Sequence, residues 1–211
     1  MKTDTLIEML ARDAGPAPRA LAASRLSPAA IVGLLVSAAT AIAWFGAIPS
    51  SMFATVVPWM KIAYAGLLAL AAGWLTARLS RPAAPFRRAQ WLTVGVIGLM
   101  VSIGALSLVL TPTEARPEAL LGQSWFACPW RVLALSLPAL AAVLWAVRGL
   151  APTRLRAAGF ATGLLAGSIG AIGYSLACPE ASPAFVALWY TLGIVLTAAI
   201  GAILGPRVLR W

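Results

Sequence analysis

Six apolar runs separated by short links constrain this chain more than any other feature. They cover residues 28–48, 59–77, 91–110, 132–147, 157–177 and 185–204. Crossing roughly 30 Å of hydrocarbon takes about 20 apolar residues, and the runs approach that length. Lipid offers backbone N–H and C=O groups no water to bond, so each run is expected to be a helix. With 61% hydrophobic and only 10% charged residues among 211, the chain could not clothe a soluble surface of its size. The expected fold is all-α and integral to a membrane: residues 28–211 form six transmembrane helices packed as three antiparallel hairpins. Residues 1–27 form a separate N-terminal segment and linker. That segment holds three acids, which is wrong for the basic start of a signal peptide, so the first run reads as a retained anchor.

The sixteen basic residues orient the bundle. Lys2, Arg12, Arg19 and Arg25 precede the first run, and Arg78, Arg81, Arg87 and Arg88 lie between the second and third. Arg148, Arg154 and Arg156 lie between the fourth and fifth, and Arg207 and Arg210 follow the sixth. The opposite links hold only Lys61, Arg116 and Arg131. Short loops rich in Lys and Arg stay in the cytoplasm, so both termini are expected there. The net charge of +10 therefore reads as a topology signal and not as a surface for nucleic acid.

Several functions are disfavoured. There is no histidine, hence neither the commonest general base nor the commonest metal ligand. No Asp, Glu, Lys or Arg falls near the middle of a run, whereas transporters and pumps bury such groups as relays. Span polarity is limited to hydroxyls such as Ser102, Ser107, Ser168, Ser175, Thr191 and Thr197, which usually bond to backbone or a neighbouring helix. A small transporter, a membrane thiol oxidoreductase and a structural subunit of a larger complex are the alternatives to a regulatory role.

Cys128 and Cys178 are the only cysteines, and proline follows each. The orientation places both at the outer boundary, which in a bacterium faces the oxidising periplasm. Three readings remain open for the residues alone: a structural disulfide or inert pair, a sensor changed by oxidation or by a soft metal ion, and a catalytic thiol. An oxidoreductase would carry a C-x-x-C pair, and none is present. Thiolates favour soft ions, and Glu180 could add an oxygen ligand. Spans four and five should be adjacent, which would bring the two cysteines near the 7 Å or so that a disulfide requires.

The N-terminus reads MKTDTLIEMLARDAG. Leu6, Met9 and Leu10 share a face at helical spacing, with Ile7 beside them. Thr5 and Glu8 have capping-box spacing, and Gly15 and Pro16 end the helix. Asp4, Glu8 and Asp13 are the only acids on the cytoplasmic side. An amphipathic helix on a Pro/Ala-rich linker (residues 15–27) is expected to dock a soluble basic partner through Asp4, Leu6, Ile7, Glu8 and Leu10; the alternatives are a solvated terminus or a helix lying on the bilayer, which the acids disfavour. Elsewhere, Gly159, Gly163 and Gly167 recur every four residues and Gly201 and Gly205 close the sixth run. This spacing suits close helix packing inside the bundle or a homo-oligomer seam. Pro138 should perturb the fourth helix, and tryptophans at the run ends (Trp59, Trp91, Trp125, Trp130, Trp211) suit interfacial anchoring.

The opening MKTDTLIEMLARDA, the segment FACPWR and the C-terminal CPEASPAFVALWYTLGIVLTAAIGAILGPRVLRW resemble the NrsF-type negative regulators of the sigma-F extracytoplasmic-function sigma factor. The resemblance covers nearly the whole chain. It implies a non-enzymatic anti-sigma factor of the bacterial inner membrane that binds no nucleic acid directly. Such a protein would hold its sigma factor until heavy metal or oxidative stress releases it. It would need no cofactor beyond a transient soft metal ion at the thiols. The family's paired periplasmic cysteines correspond to Cys128 and Cys178, and its short cytoplasmic segment to the opening helix.

Overall fold

A computed structural model describes residues 3, 5, 7–9, 21–81 and 84–210 of the chain. It contains six helices long and apolar enough to cross a membrane: α1 (Leu21–Phe45), α2 (Val56–Leu79), α3 (Arg87–Leu110), α4 (Cys128–Arg148), α5 (Leu155–Ser175) and α6 (Pro183–Val208). At 1.5 Å per residue, even the shortest spans about 30 Å. A short helix, Arg116–Leu121, rides in the link between α3 and α4. The described residues include no strand.

Successive helices run in opposite directions, because their ends gather at two poles. At one pole the Ile48 N–H donates to the Leu176 carbonyl, Lys61 reaches Cys178, and the Trp189 indole reaches Leu120. At the other pole Arg25 donates to the Gly149 carbonyl and Arg154 lies over the Phe86 ring. We term these the cysteine pole and the arginine pole.

Helix pairing differs from three sequential hairpins. Helix α5 is the hub, packing on α1, α2, α4 and α6, with α6 its most extensive partner. Helices α1 and α2 touch only sparsely, and α3 packs instead on α2 and the start of α6. The reason is steric. Nearly every residue of α5 is small or buried, so it can accept neighbours on all sides, while α1 and α3 turn large side chains outward.

The glycine series explains the closest seam. A Cβ on Gly163 would fall 2.5 Å from the Thr197 carbonyl oxygen and 2.6 Å from Ala198 Cα. Gly159 meets Gly201 and Gly205 in the same way. The series thus joins α5 to α6 inside one chain. Span hydroxyls bond mostly to carbonyls of their own helix, as with Ser102, Ser107, Ser168, Ser175 and Thr197. Thr191 instead meets the Tyr64 hydroxyl across helices at 2.7 Å.

Two expectations at the N-terminus change. Thr3 and Thr5 are both helical, so Thr5 lies within helical structure and does not cap it. Helix α1 already includes Leu21, so the last part of the expected linker is helical. Of the docking residues, Ile7 and Glu8 are helical and exposed; Asp4, Leu6 and Leu10 lie outside the described residues.

Adding side-chain volume on the α5–α6 seam should unlock it. Gly163→Val is expected to cost about 1–3 kcal/mol by overpacking. Gly95→Val, where a Cβ has no neighbour within 4 Å, should change stability by under about 0.5 kcal/mol. Thermal unfolding of the detergent-solubilised protein would measure both.

Candidate functional site: the thiols and lysine of the cysteine pole

The two Cys–Pro pairs fold for different reasons. Cys128 opens α4, with Pro129 in the first turn where a missing N–H costs nothing. Its own N–H donates to the Ser124 carbonyl at 2.8 Å. Cys178 follows the end of α5, its N–H donating to Tyr174 at 3.0 Å, and Pro179 prevents another helical turn. Both thiols are free and both residues have 0% exposure. Cys128 stands within electrostatic range of Cys178, Lys61, Glu180 and Arg131.

Lys61 is the residue that sequence reasoning misplaced. Counted among the outer loop cations, it is instead wholly buried in the first turns of α2. Its ammonium donates to the Cys178 carbonyl at 2.8 Å and lies near both cysteine side chains and Glu180. An ionisable group sealed at this depth is costly and usually functional. The signal was available: a lone lysine inside the apolar stretch VVPWMKIAYAG, on the side where basic residues are scarce.

Aromatic residues close the site. Tyr174 sets its ring 6.0 Å from Phe45 and 5.7 Å from Tyr190. Arg131 lies 4.8 Å above the Phe45 ring and donates to the Tyr174 hydroxyl at 3.3 Å. Tyr190 belongs to a π-helical turn, Val186–Tyr190, within α6. Such turns often occur at functional positions. This one leaves the fully buried Tyr190 hydroxyl without a hydrogen bond, beside the Cys178 side chain. A cleft of about 470 Å³ opens outside the cap, bounded by Phe45, Ile48, Arg131, Ala177 and Pro179.

Glu180 has another task than the metal ligation considered from sequence. One carboxylate oxygen, Oε1, accepts from the N–H groups of Gln123 and Ser124 and from Ser124 Oγ, at 2.8–2.9 Å. Gly122 permits this approach: its φ of 55° favours glycine, and a Cβ there would lie 2.5 Å from the other carboxylate oxygen. Glu180 therefore clamps the α3–α4 link onto the α5–α6 loop. Among the described residues, no group of three or more His, Cys, Asp or Glu side chains is placed to hold a metal ion. The site offers two protected thiols, an ammonium able to stabilise a thiolate, and one unsatisfied hydroxyl.

The family described as "Negative regulator of sigma F" matches residues 10–211. The chain belongs to that family. It is therefore a regulatory protein and not an enzyme. The chain is 40% identical to "Anti-sigma-F factor NrsF" of Caulobacter vibrioides (strain NA1000 / CB15N), with all of both chains covered. It is 38% identical to "Probable anti-sigma-F factor NrsF" of Azospira oryzae, again over the full length of both. No solved structure matches.

In this member of the family, opening the Glu180 clamp should expose the thiols. For Glu180→Ala we expect maleimide labelling of Cys128 and Cys178 in the folded protein to rise at least several-fold, with local opening. Glu118→Ala, an exposed acid on the same link, should leave the rate unchanged. Labelling followed by intact mass spectrometry reads both.

Proposed function

We propose that this protein is a bacterial inner-membrane anti-sigma factor that holds an extracytoplasmic-function sigma factor at its cytoplasmic face. Release follows a change at Cys128 and Cys178 on the periplasmic side. Membership of the sigma-F regulator family over almost the whole chain supports the regulatory role. The observation that carries the sensing half is the pair of unbonded thiols packed around a buried lysine at one pole. The arginine-rich links occupy the opposite pole.

Charge supports the assignment of sides. All three basic residues at the cysteine pole have structural partners. Arg116 donates to the Thr111 and Val109 carbonyls at the C-terminus of α3, where cations are favoured. Lys61 holds the Cys178 carbonyl, and Arg131 holds Tyr174 and Phe45. These residues are explained by local contacts, so they do not weaken the basic bias of the other pole. A transporter reading would use Lys61 as a relay, but its ammonium is held by a backbone carbonyl at the helix end.

Oxidation would join the two sulfurs, passing two electrons and two protons to a thiol oxidant; a soft metal ion would instead bridge two thiolates. Either change repositions the Cys178 carbonyl that holds Lys61, and with it the first turns of α2. On the cytoplasmic side, the opening helix carries the contact with the sigma factor through Asp4, Leu6, Ile7, Glu8 and Leu10.

Cys128→Ser/Cys178→Ser should keep the sigma-dependent reporter repressed and abolish induction by a soft metal salt or a thiol oxidant. Unchanged inducibility would remove the sensing role. Ile7→Asp should raise uninduced transcription and reduce co-purification of the sigma factor by about tenfold or more, as expected for an apolar contact at the centre of an interface. Retention of the sigma factor by that variant would shift the contact to other cytoplasmic residues.

A further inference from the structure

The sparse contact between α1 and α2 leaves an apolar trough of about 650 Å³, floored by Leu165 and Ile169 of α5 and walled by Leu26, Leu34, Leu70 and Trp74. Along α2 it runs from Ala77 to Gly66. Those eleven intervals span about 17 Å, close to half of a 30 Å hydrocarbon core. The trough therefore reaches from the arginine pole to mid-membrane, the depth of a single leaflet.

Its mouth adjoins a second cavity of about 760 Å³, lined by Arg78, Arg87, Arg88, Arg154 and Phe86. Trp74 forms part of both walls. Arg78 stacks on Trp74 and Arg154 on Phe86. Among the described residues, no carboxylate line this basin. The N-terminus of α3 opens there with no side-chain cap, no acid in its first turn, and two arginines as its first residues. Free N–H groups, the positive end of the helix dipole and added cations repel one another unless an anion is present.

The glycines of the trough supply an independent observation. A Cβ on Gly66 would meet nothing within 4 Å, and one on Gly73 would meet only Leu165 Cδ1, at 3.8 Å. Neither is required by close packing, in contrast to Gly163. Their effect is to leave the α2 wall bare.

We propose that trough and basin together bind one anionic phospholipid, its phosphate on the arginines and an acyl chain along α2. A soluble acidic peptide would meet the positive charge of the basin and leave the trough empty; a neutral lipid would fill the trough without matching that charge. Only an amphiphile with an anionic head matches both.

The test uses the full chain in mild detergent and native mass spectrometry with added phosphatidylglycerol or phosphatidylcholine of identical chains. Wild type should retain one phosphatidylglycerol with roughly tenfold preference, since each nearby cation contributes to headgroup attraction. Arg78→Gln/Arg88→Gln should bring phosphatidylglycerol down to the phosphatidylcholine level. Gly66→Leu/Gly73→Leu, for which space exists, should weaken both lipids while thermal stability is kept. Arg207→Gln/Arg210→Gln, which line a separate cavity, should leave the preference intact.

Equal retention of the two lipids by wild type would overturn the proposal, as would a preference surviving in Arg78→Gln/Arg88→Gln. Glycerol phosphate binding that equals phosphatidylglycerol binding and ignores the glycine fillings would assign the basin to a free phosphate and also overturn it. Loss of sigma-factor co-purification in the arginine variants with lipid preference unchanged would give the basin to the protein partner. That result defeats the lipid site and leaves the anti-sigma reading standing.

Discussion

Close backbone contact between α5 and its neighbours is the interaction on which the other features depend. A membrane supplies no hydrophobic force between helices, so association rests on packing and on the few available hydrogen bonds. Helix α5 meets this requirement with glycine and alanine along most of its length, which brings the Gly163 region against the α6 backbone at Thr197 and Ala198. Its C-terminal end then delivers Tyr174, Cys178 and, just beyond, Glu180 to the cysteine pole. Any loosening of the seam would displace the thiol-bearing loop before it disturbed the outward-facing α1 or α3.

At that pole, polar groups are buried at a cost, and the structure offsets it almost completely. Lys61 finds a carbonyl, Arg131 finds Tyr174 and a ring face, and one oxygen of Glu180 accepts three donors. The Tyr190 hydroxyl is left over, in a π-helical turn. An unsatisfied buried hydroxyl costs about 1–3 kcal/mol, which makes the cluster sensitive to a new partner beside Cys178. A thiol pair in solvent would react with any passing oxidant. Sealed thiols would be shielded from such oxidants, and the contacts of Glu180 with Gln123 and Ser124 hold the links around them together.

The membrane architecture was legible because lipid permits so few solutions. Apolar runs fixed the six helices to within several residues, and the unequal arginine distribution distinguished two poles. The packing of α4 on α5 was also legible, since a short link joins them. What the residues could not reveal was which helices pack. Sequential hairpins are the simplest expectation, but the small face of α1 (Gly33, Ser37, Ala41) meets α4 and α5, Gly104 of α3 meets the start of α6, and the large side chains of both helices turn outward. Lys61 was misread because a cation near a span end is normally a loop residue; only the fold brings the Cys178 carbonyl to it. Glu180 reads from the sequence as an oxygen ligand, and only the fold shows one of its carboxylate oxygens bonded to Gln123 and Ser124.

Helix α2 carries a charged side chain at each pole. Lys61 sits in its first turns against Cys178, and Trp74 and Arg78 sit near its other end at the arginine basin. Its main supports are α5 and α3, with little contact to α1. A helix held firmly on one side and open to a trough on the other can shift with fewer broken contacts than α5, which is surrounded. Communication between sites requires an element with two arrangements of differing affinity for each ligand. By its packing, α2 is the element best suited to that role. Release of Lys61 would act at one end, and whatever occupies the trough would act along the other half. By linkage, an occupant that favours one position of α2 must also bias the thiol pole, since the coupling free energy is the same in both directions.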